Sequence, residues 1–387
     1  MDLQLELYMR HLQKEKGKAT TISIIAIIVA LTTTAMTTIT TPVQATTTTT
    51  AAPITTTNNT ATAATSSSGI KLSSQPIYQE HLRVVNMTPI NETHMSITFS
   101  GNGVLTLPNT TQTINTSSNG SALISFETLS IQGKETIKTE DGSSGGETAT
   151  ATIYEIDRQP DNSTGESKGI VIAVVNTNST TSSTLAPLNG KILVGIDDIQ
   201  TTTSESDIIL WEWENGVSSS DNSSSNNDTT TIAAEAMKIS SSGIKLSSQP
   251  IYQEWSPEGN ITPINQTHGI FTFNGNGMLT LPNTTQAINT SHNGTAIISF
   301  ATSSGYGKET IRTENGETVT ATVYEIVQPP NPSAPEGGGK GIVTAVFQTN
   351  STGMLAPLNG VIVAGIDDMS TSGESHVTLW GWENSIS

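Results

Sequence analysis

One long stretch of this chain is written twice. SSGIKLSSQPIYQE occupies residues 67–80 and returns at residues 241–254, and the match continues through residues 91–126 and 265–300 at a constant spacing of 174. After Glu140 the first copy carries four extra residues and the spacing falls to 170. Insertions are tolerated in loops, so this position reads as the tip of a hairpin. LAPLNGKILVGIDD then answers LAPLNGVIVAGIDD, and both copies close on Trp-x-Trp. Two copies at so long a period argue against a solenoid or propeller, whose repeats reach about 50 residues. The expected plan is two similar domains, residues 66–215 and 240–387, joined like beads by a flexible Ser/Asn-rich linker at residues 216–239.

Inside a copy the apolar residues alternate with polar ones. Met95, Ile97 and Phe99 do so, as do Ala122, Ile124 and Phe126, and Ala149, Ala151 and Ile153. Period two is the mark of a strand, and no window shows a sustained helical period. Gly-Asn-Gly at residues 101–103, Asn119-Gly120 and Asp141-Gly142 read as turns between short strands. The fold class is therefore all-β, with each copy expected to be a β-sandwich, of which the jelly roll is one form. Trp211 and Trp213, answered by Trp380 and Trp382, alternate to one face of a strand. They read as core, or alternatively as a ligand-binding platform on which sugar rings stack.

Residues 1–45 follow the order of an export signal. Arg10, Lys14, Lys16 and Lys18 precede an apolar run at residues 22–31, and Val43 and Ala45 stand where signal peptidase prefers small residues. The segment is either removed after Ala45 or retained as a transmembrane anchor. The body lies outside in both cases, because a basic flank stays in the cytoplasm. Residues 46–65 are rich in Thr and nearly free of large apolar side chains, so they read as a disordered stalk.

A net charge of −18 repels a phosphate backbone, which excludes nucleic acid as a partner. The absence of Cys removes disulfides, thiolate metal sites and a Cys nucleophile. Sixteen Asn-x-Ser/Thr acceptors are present, among them Asn86, Asn91, Asn109, Asn115, Asn119 and Asn178 in the first copy and Asn260, Asn265, Asn283, Asn289, Asn293 and Asn350 in the second. The first six recur at matching positions in the second copy. With its Thr-rich stalk, acidic Cys-free body and crowded acceptors, the chain resembles secreted and cell-surface glycoproteins of archaea. That resemblance implies an extracellular or surface location and transfers no functional residue.

Asp197-Asp198 recurs as Asp367-Asp368 at a strand end, with Glu205 and Glu374 shortly after. These six carboxylates are candidate ligands for Ca²⁺, which takes oxygen donors, with acidic turn residues as the plainer reading. Glu155 and Glu325 are carboxylates of the type a glycosidase uses, but their default is a solvated strand face. No catalytic constellation stands out. The expected function is a non-catalytic surface glycoprotein engaged in presentation or adhesion, with cell-envelope polysaccharide or surface proteins as partners. The alternatives are a secreted carbohydrate- or Ca²⁺-binding module and an extracellular hydrolase.

Overall fold

The computed structural model describes residues 70–108, 112–140, 146–161, 163–177, 184–214, 244–257, 259–282, 284, 286–328 and 338–383. The expected signal segment, the stalk and the linker at residues 216–239 lie outside these residues. Among the described residues no helix is long and apolar enough to cross a membrane.

The first copy forms eight strands: β1 (Tyr78–Pro89), β2 (His94–Thr106), β3 (Thr113–Ser125), β4 (Ser130–Thr139), β5 (Thr148–Asp157), β6 (Glu166–Thr177), β7 (Ile192–Gln200) and β8 (Glu205–Glu212). Each pairs antiparallel with its successor, and β1 also pairs with β8 from Tyr78↔Leu210 to Arg83↔Glu205, so the sheet closes into a barrel. The second copy repeats this with β9 (Leu246–Ser256), β10 (Asn260–Pro263), β11 (His268–Thr280), β12 (Ala287–Ser299), β13 (Ser304–Thr313), β14 (Thr318–Gln328), β15 (Lys340–Gln348), β16 (Ile362–Met369) and β17 (Ser375–Trp382). Here β9 and β10 together take the place of β1, and β9 closes the ring by pairing with both β17 and β11.

All-β architecture in two domains is thus as the sequence indicates, but the sandwich expectation is corrected to two closed up-and-down barrels. The misplaced turns explain the error. Residues 101–103 lie inside β2, and Asn119-Gly120 lies inside β3. A Cβ at Gly120 would stand 2.3 Å from the Phe99 ring, so this glycine admits an aromatic ring across the sheet and does not reverse the chain. The result is longer strands, and a continuous meander of such strands coils until its edges meet.

One end of each barrel is plugged. In LAPLNG the chain makes a short 3₁₀ turn, and Leu185 and Leu188 press into the interior apolar cluster of barrel 1, as Leu355 and Leu358 do in barrel 2. The Glu147 carboxylate accepts hydrogen bonds from the Thr184 and Leu185 amides at 3.0 and 2.9 Å, and Glu317 receives the Leu355 amide at 3.2 Å. The opposite end, formed by the β1–β2, β3–β4, β5–β6 and β7–β8 turns, is the mouth.

The barrels are not separate beads. β6 is buried over almost its whole length, with Val171, Ala173 and Val175 inside barrel 1 while Ile170, Ile172 and Val174 face outward. That outward face joins Tyr154, Ile156, Trp211 and Trp213 with Tyr324, Ile326, Ile342, Ile362 and Trp382 in one apolar cluster shared by the two copies. Tyr154 Oη lies 2.8 Å from Ser304 Oγ, and Tyr324 Oη lies 2.6 Å from Ser130 Oγ. Because the paired positions are equivalent in the two copies, the interface has the form of an approximate two-fold.

Candidate functional site

In each barrel the inward face carries apolar side chains and two sets of polar ones. In barrel 1 the deeper set is Tyr78, Glu80, Thr116, Ser118 and Glu135, all buried, and the Ser118 hydroxyl donates to Glu80. Burial first, and then the neighbouring Glu80 charge, hold the Glu135 carboxyl well above the usual carboxylate range; burial also raises Glu80. The set nearer the mouth is Glu155, Asp157 and Asp197. Glu155 is held well above its ordinary value by burial and then by the charges of Asp157 and Asp197. Burial pushes Asp157 up to about 6 and Asp197 up to about 7. The three carboxyls face one another, with Glu155 hydrogen-bonded to both Asp157 and Asp197. Crowded carboxyls in a low dielectric retain protons, so this set presents O–H donors as well as acceptors.

Glycine makes the room for this group. Gly169 stands beside Asp157 on the paired strand, and a Cβ there would lie 2.5 Å from Glu155 Oε1; in barrel 2 a Cβ on Gly341 would lie 2.4 Å from Glu325 Oε1.

Barrel 2 keeps this plan with three changes. The deeper set is Tyr252, Glu254, Thr290, His292 and Glu309, so His292 stands where barrel 1 has Ser118. Ser256 stands where barrel 1 has Leu82, and its Oγ lies 3.0 Å from His292 Nε2. Near the mouth, Glu325 and Asp367 remain but Val327 replaces Asp157; Ser375 Oγ donates to Asp367 at 2.7 Å. Burial, followed by the charge of Asp367, holds Glu325 well above the usual range, and burial also raises Asp367.

Each interior encloses a cavity that reaches these carboxyls. That of barrel 1 is about 140 Å³, bounded by Leu82, Met95, Phe99, Ile131, Glu155 and Asp197. That of barrel 2 is about 390 Å³, bounded by Phe271, Phe273, Phe300, Glu309, Glu325 and Asp367. The difference follows from side-chain volume: where barrel 1 has Leu82, Met95 and Ile131, barrel 2 has Ser256, Gly269 and Gly305. Phe271 and Phe273 stack at 5.4 Å along one wall. Ile261 and Phe300 line the cavity of barrel 2 and are still 49% and 45% exposed, which makes its mouth apolar.

The residues singled out from sequence are distributed as follows. Neighbouring strand residues point to opposite faces, so each Asp doublet is split. Asp197 and Asp367 turn inward, whereas Asp198 pairs with Lys168 and Asp368 with Lys340 at 3.3 Å on the outside. Glu205 borders the mouth of barrel 1, and Glu374 is half-buried in the β16–β17 turn. In neither copy do the three carboxylates form a common ligand set. Trp211, Trp213 and Trp382 are buried between the barrels and Trp380 packs against them, so the rings serve the interface. Glu155 and Glu325, assigned to solvated faces, are interior groups. Asn86, Asn91, Asn115, Asn119, Asn260, Asn265, Asn289, Asn293 and Asn350 are all exposed, and Asn109, Asn178 and Asn283 lie outside the described residues. The deeper polar sets and His292 were not anticipated.

No protein-family model matches the sequence, and no curated protein matches it significantly. Among solved structures, the crystal structure of a candidate AttH protein from Nitrosomonas europaea aligns over 80% of this chain and 93% of its own, at 8% identity and a TM-score of 0.14. So low a score carries no argument about fold or function.

Proposed function

We propose that this chain is an exported, glycosylated, non-catalytic binding protein that takes a small, mainly apolar molecule with one polar end into its barrels, barrel 2 being the principal site. The observation that carries this reading is the cavity of about 390 Å³ in barrel 2, walled by aromatic rings and floored by partly protonated carboxyls. Ligand pockets typically measure about 300–1,000 Å³ and combine apolar walls with a few polar groups that fix orientation. Barrel 1, at about 140 Å³, is close to the ~150 Å³ that admits a benzene ring. Eight-stranded barrels have an interior of the right width for one such ligand.

Export and surface display remain part of the proposal, supported by the amino-terminal residue order and the acceptor asparagines. Most of the exposed acceptors sit on β1–β3 and β10–β12 or the turns beside them, away from the β5–β7 side that packs against the other barrel. Sugars there leave the interface free, and cell-envelope polysaccharide or surface proteins are the proposed neighbours of that outer face. Adhesion through the Trp strands draws no support, because those rings are turned into the protein.

The test is titration of the full chain with N-phenyl-1-naphthylamine, an apolar amine whose fluorescence rises in a dry pocket. Saturable binding in the micromolar range is expected, and Gly305→Ile, which installs the residue barrel 1 carries, should weaken it at least tenfold. A Cβ at Gly305 would stand 3.3 Å from Ile298 Cγ2, the end of a side chain that has to yield slightly, and circular dichroism checks that the variant keeps its strands. Absence of saturable binding, or binding indifferent to this change, would remove the proposal.

A further inference from the structure

The geometry points to a site for a divalent first-row transition metal inside barrel 2, made by Glu254, His292 and Glu309. The three residues come from β9, β12 and β13, and one ligand atom from each lies within 4.8 Å of the others. His292 Nδ1 is 2.9 Å from Glu254 Oε2 and 3.4 Å from Glu309 Oε1. Donors held about 2.0–2.2 Å from one ion stand roughly 3.0–3.5 Å apart in octahedral or tetrahedral sites, so these separations suit a shared ion.

The surroundings also fit. A histidine that binds metal through one ring nitrogen normally donates from the other to an oxygen. Ser256 Oγ, 3.0 Å from His292 Nε2, is placed to accept that proton, which leaves Nδ1 as the ligand atom. Tyr252 Oη lies 3.0 Å from His292 Nδ1 and 3.2 Å from Glu309 Oε1, so with Nδ1 on an ion its hydroxyl would donate to Glu309 and orient that carboxylate. Glu254, Glu309 and Ser256 all border the cavity, so a further coordination position would face its interior. Among the described residues no Lys or Arg lines this cavity, and two carboxylates balance a divalent charge. Mixed imidazole and carboxylate donors favour Zn²⁺, Fe²⁺ or Mn²⁺, whereas Ca²⁺ wants six to eight oxygens.

A histidine ion-paired in a core is the competing explanation, and barrel 1 argues against it. That barrel keeps the tyrosine and both glutamates, as Tyr78, Glu80 and Glu135, and closes with Ser118 in place of the histidine. The ring is therefore not required for closure. Barrel 2 differs at two positions that both serve it, Ser118 giving way to His292 and Leu82 to Ser256. This inference does not depend on the apolar ligand.

The experiment uses the full chain, stripped with chelator and titrated with Zn²⁺, and with Co²⁺ for its visible absorption. One tight equivalent per chain is expected, with cobalt bands typical of nitrogen and oxygen ligands. His292→Ser, which borrows the residue of barrel 1, should lower the affinity at least about 100-fold, beyond the ~10- to 100-fold that loss of an outer-shell partner costs. Glu309→Gln should also weaken binding, and circular dichroism checks that both variants keep their strands. A chain that binds no tight equivalent, or one that binds equally well as His292→Ser through its exposed histidines, overturns the assignment.

Discussion

Tyr154 and Tyr324, equivalent residues of the two copies, meet each other across the interface with ring centroids 5.4 Å apart, and each hydroxyl reaches a serine of the opposite barrel. Around them the outward faces of β5–β7 and β14–β16 form an apolar layer continuous between the barrels. Tyr154→Phe should cost about 1 kcal/mol, the usual net worth of one hydrogen bond. Ile170→Asp, which puts an unpaired charge at a fully buried position, should cost about 3–5 kcal/mol. Urea unfolding of the full chain measures both. A loss below 1 kcal/mol for Ile170→Asp would show that the barrels do not pack through this face.

Stability should fall as pH rises. Glu155, Asp157 and Asp197 have folded pKa values above their unfolded ones, so the native state holds protons that the unfolded chain releases. The contributions of Asp157 and Asp197 are complete below about pH 4 and are lost as pH climbs through about 6 and 7 respectively. The melting temperature of the full chain should therefore decline between pH 5 and pH 8, by several degrees. Asp157→Val, which copies Val327 of barrel 2, should flatten that decline and raise the melting temperature at pH 8. A melting temperature that climbs across this range would contradict the buried carboxyl cluster.

The volume difference between the cavities is testable in reverse. Ile131→Gly in barrel 1 removes the side chain that Gly305 lacks in barrel 2, and should let barrel 1 accept the naphthylamine probe. The cost in stability should be about 2–4 kcal/mol, from lost burial plus the added flexibility of glycine. Stoichiometry of probe binding, compared with the unaltered chain, reads the outcome.

Barrel 1 can also be given the metal ligands of barrel 2. The double change Leu82→Ser and Ser118→His reproduces Ser256 and His292 beside Glu80 and Glu135. Zn²⁺ bound per chain should rise from one to two equivalents by equilibrium dialysis. A count that stays at one would mean that barrel 2 positions its ligands by something other than these two residues.

The strands and the duplication were legible because both leave periodic marks, but closure was not. The β1–β8 pairing joins Tyr78 to Leu210, and period two reports which face a residue occupies without naming the partner strand. The interior carboxyls were nearer to hand. Ala149, Ala151 and Ile153 fix the inward parity of β5, and the same count places Glu155 and Asp157 inside. Carboxylates usually take the solvated face of a strand, and here the parity of β5 outweighs that preference. The interface also had a signal: GIVIAVV is a continuous apolar run and GIVTAVF is broken only by Thr344, the form a strand takes when both faces are covered. His292 carried no such mark, since one His inside a polar run becomes a ligand only when curvature brings β9, β12 and β13 together.

The paired tyrosine and serine contacts have the logic of a homodimer, yet both halves belong to one polypeptide. In a true homodimer assembly depends on concentration, and any substitution in one subunit appears in the other. Fusion removes both constraints. The halves meet at a fixed ratio however dilute the protein, and each is free to acquire its own chemistry. Ser118 and His292, at the same place in two otherwise parallel interiors, record that freedom: one molecule carries a narrow chamber without the imidazole beside a wider one equipped with it, a division of labour that a symmetric pair cannot encode.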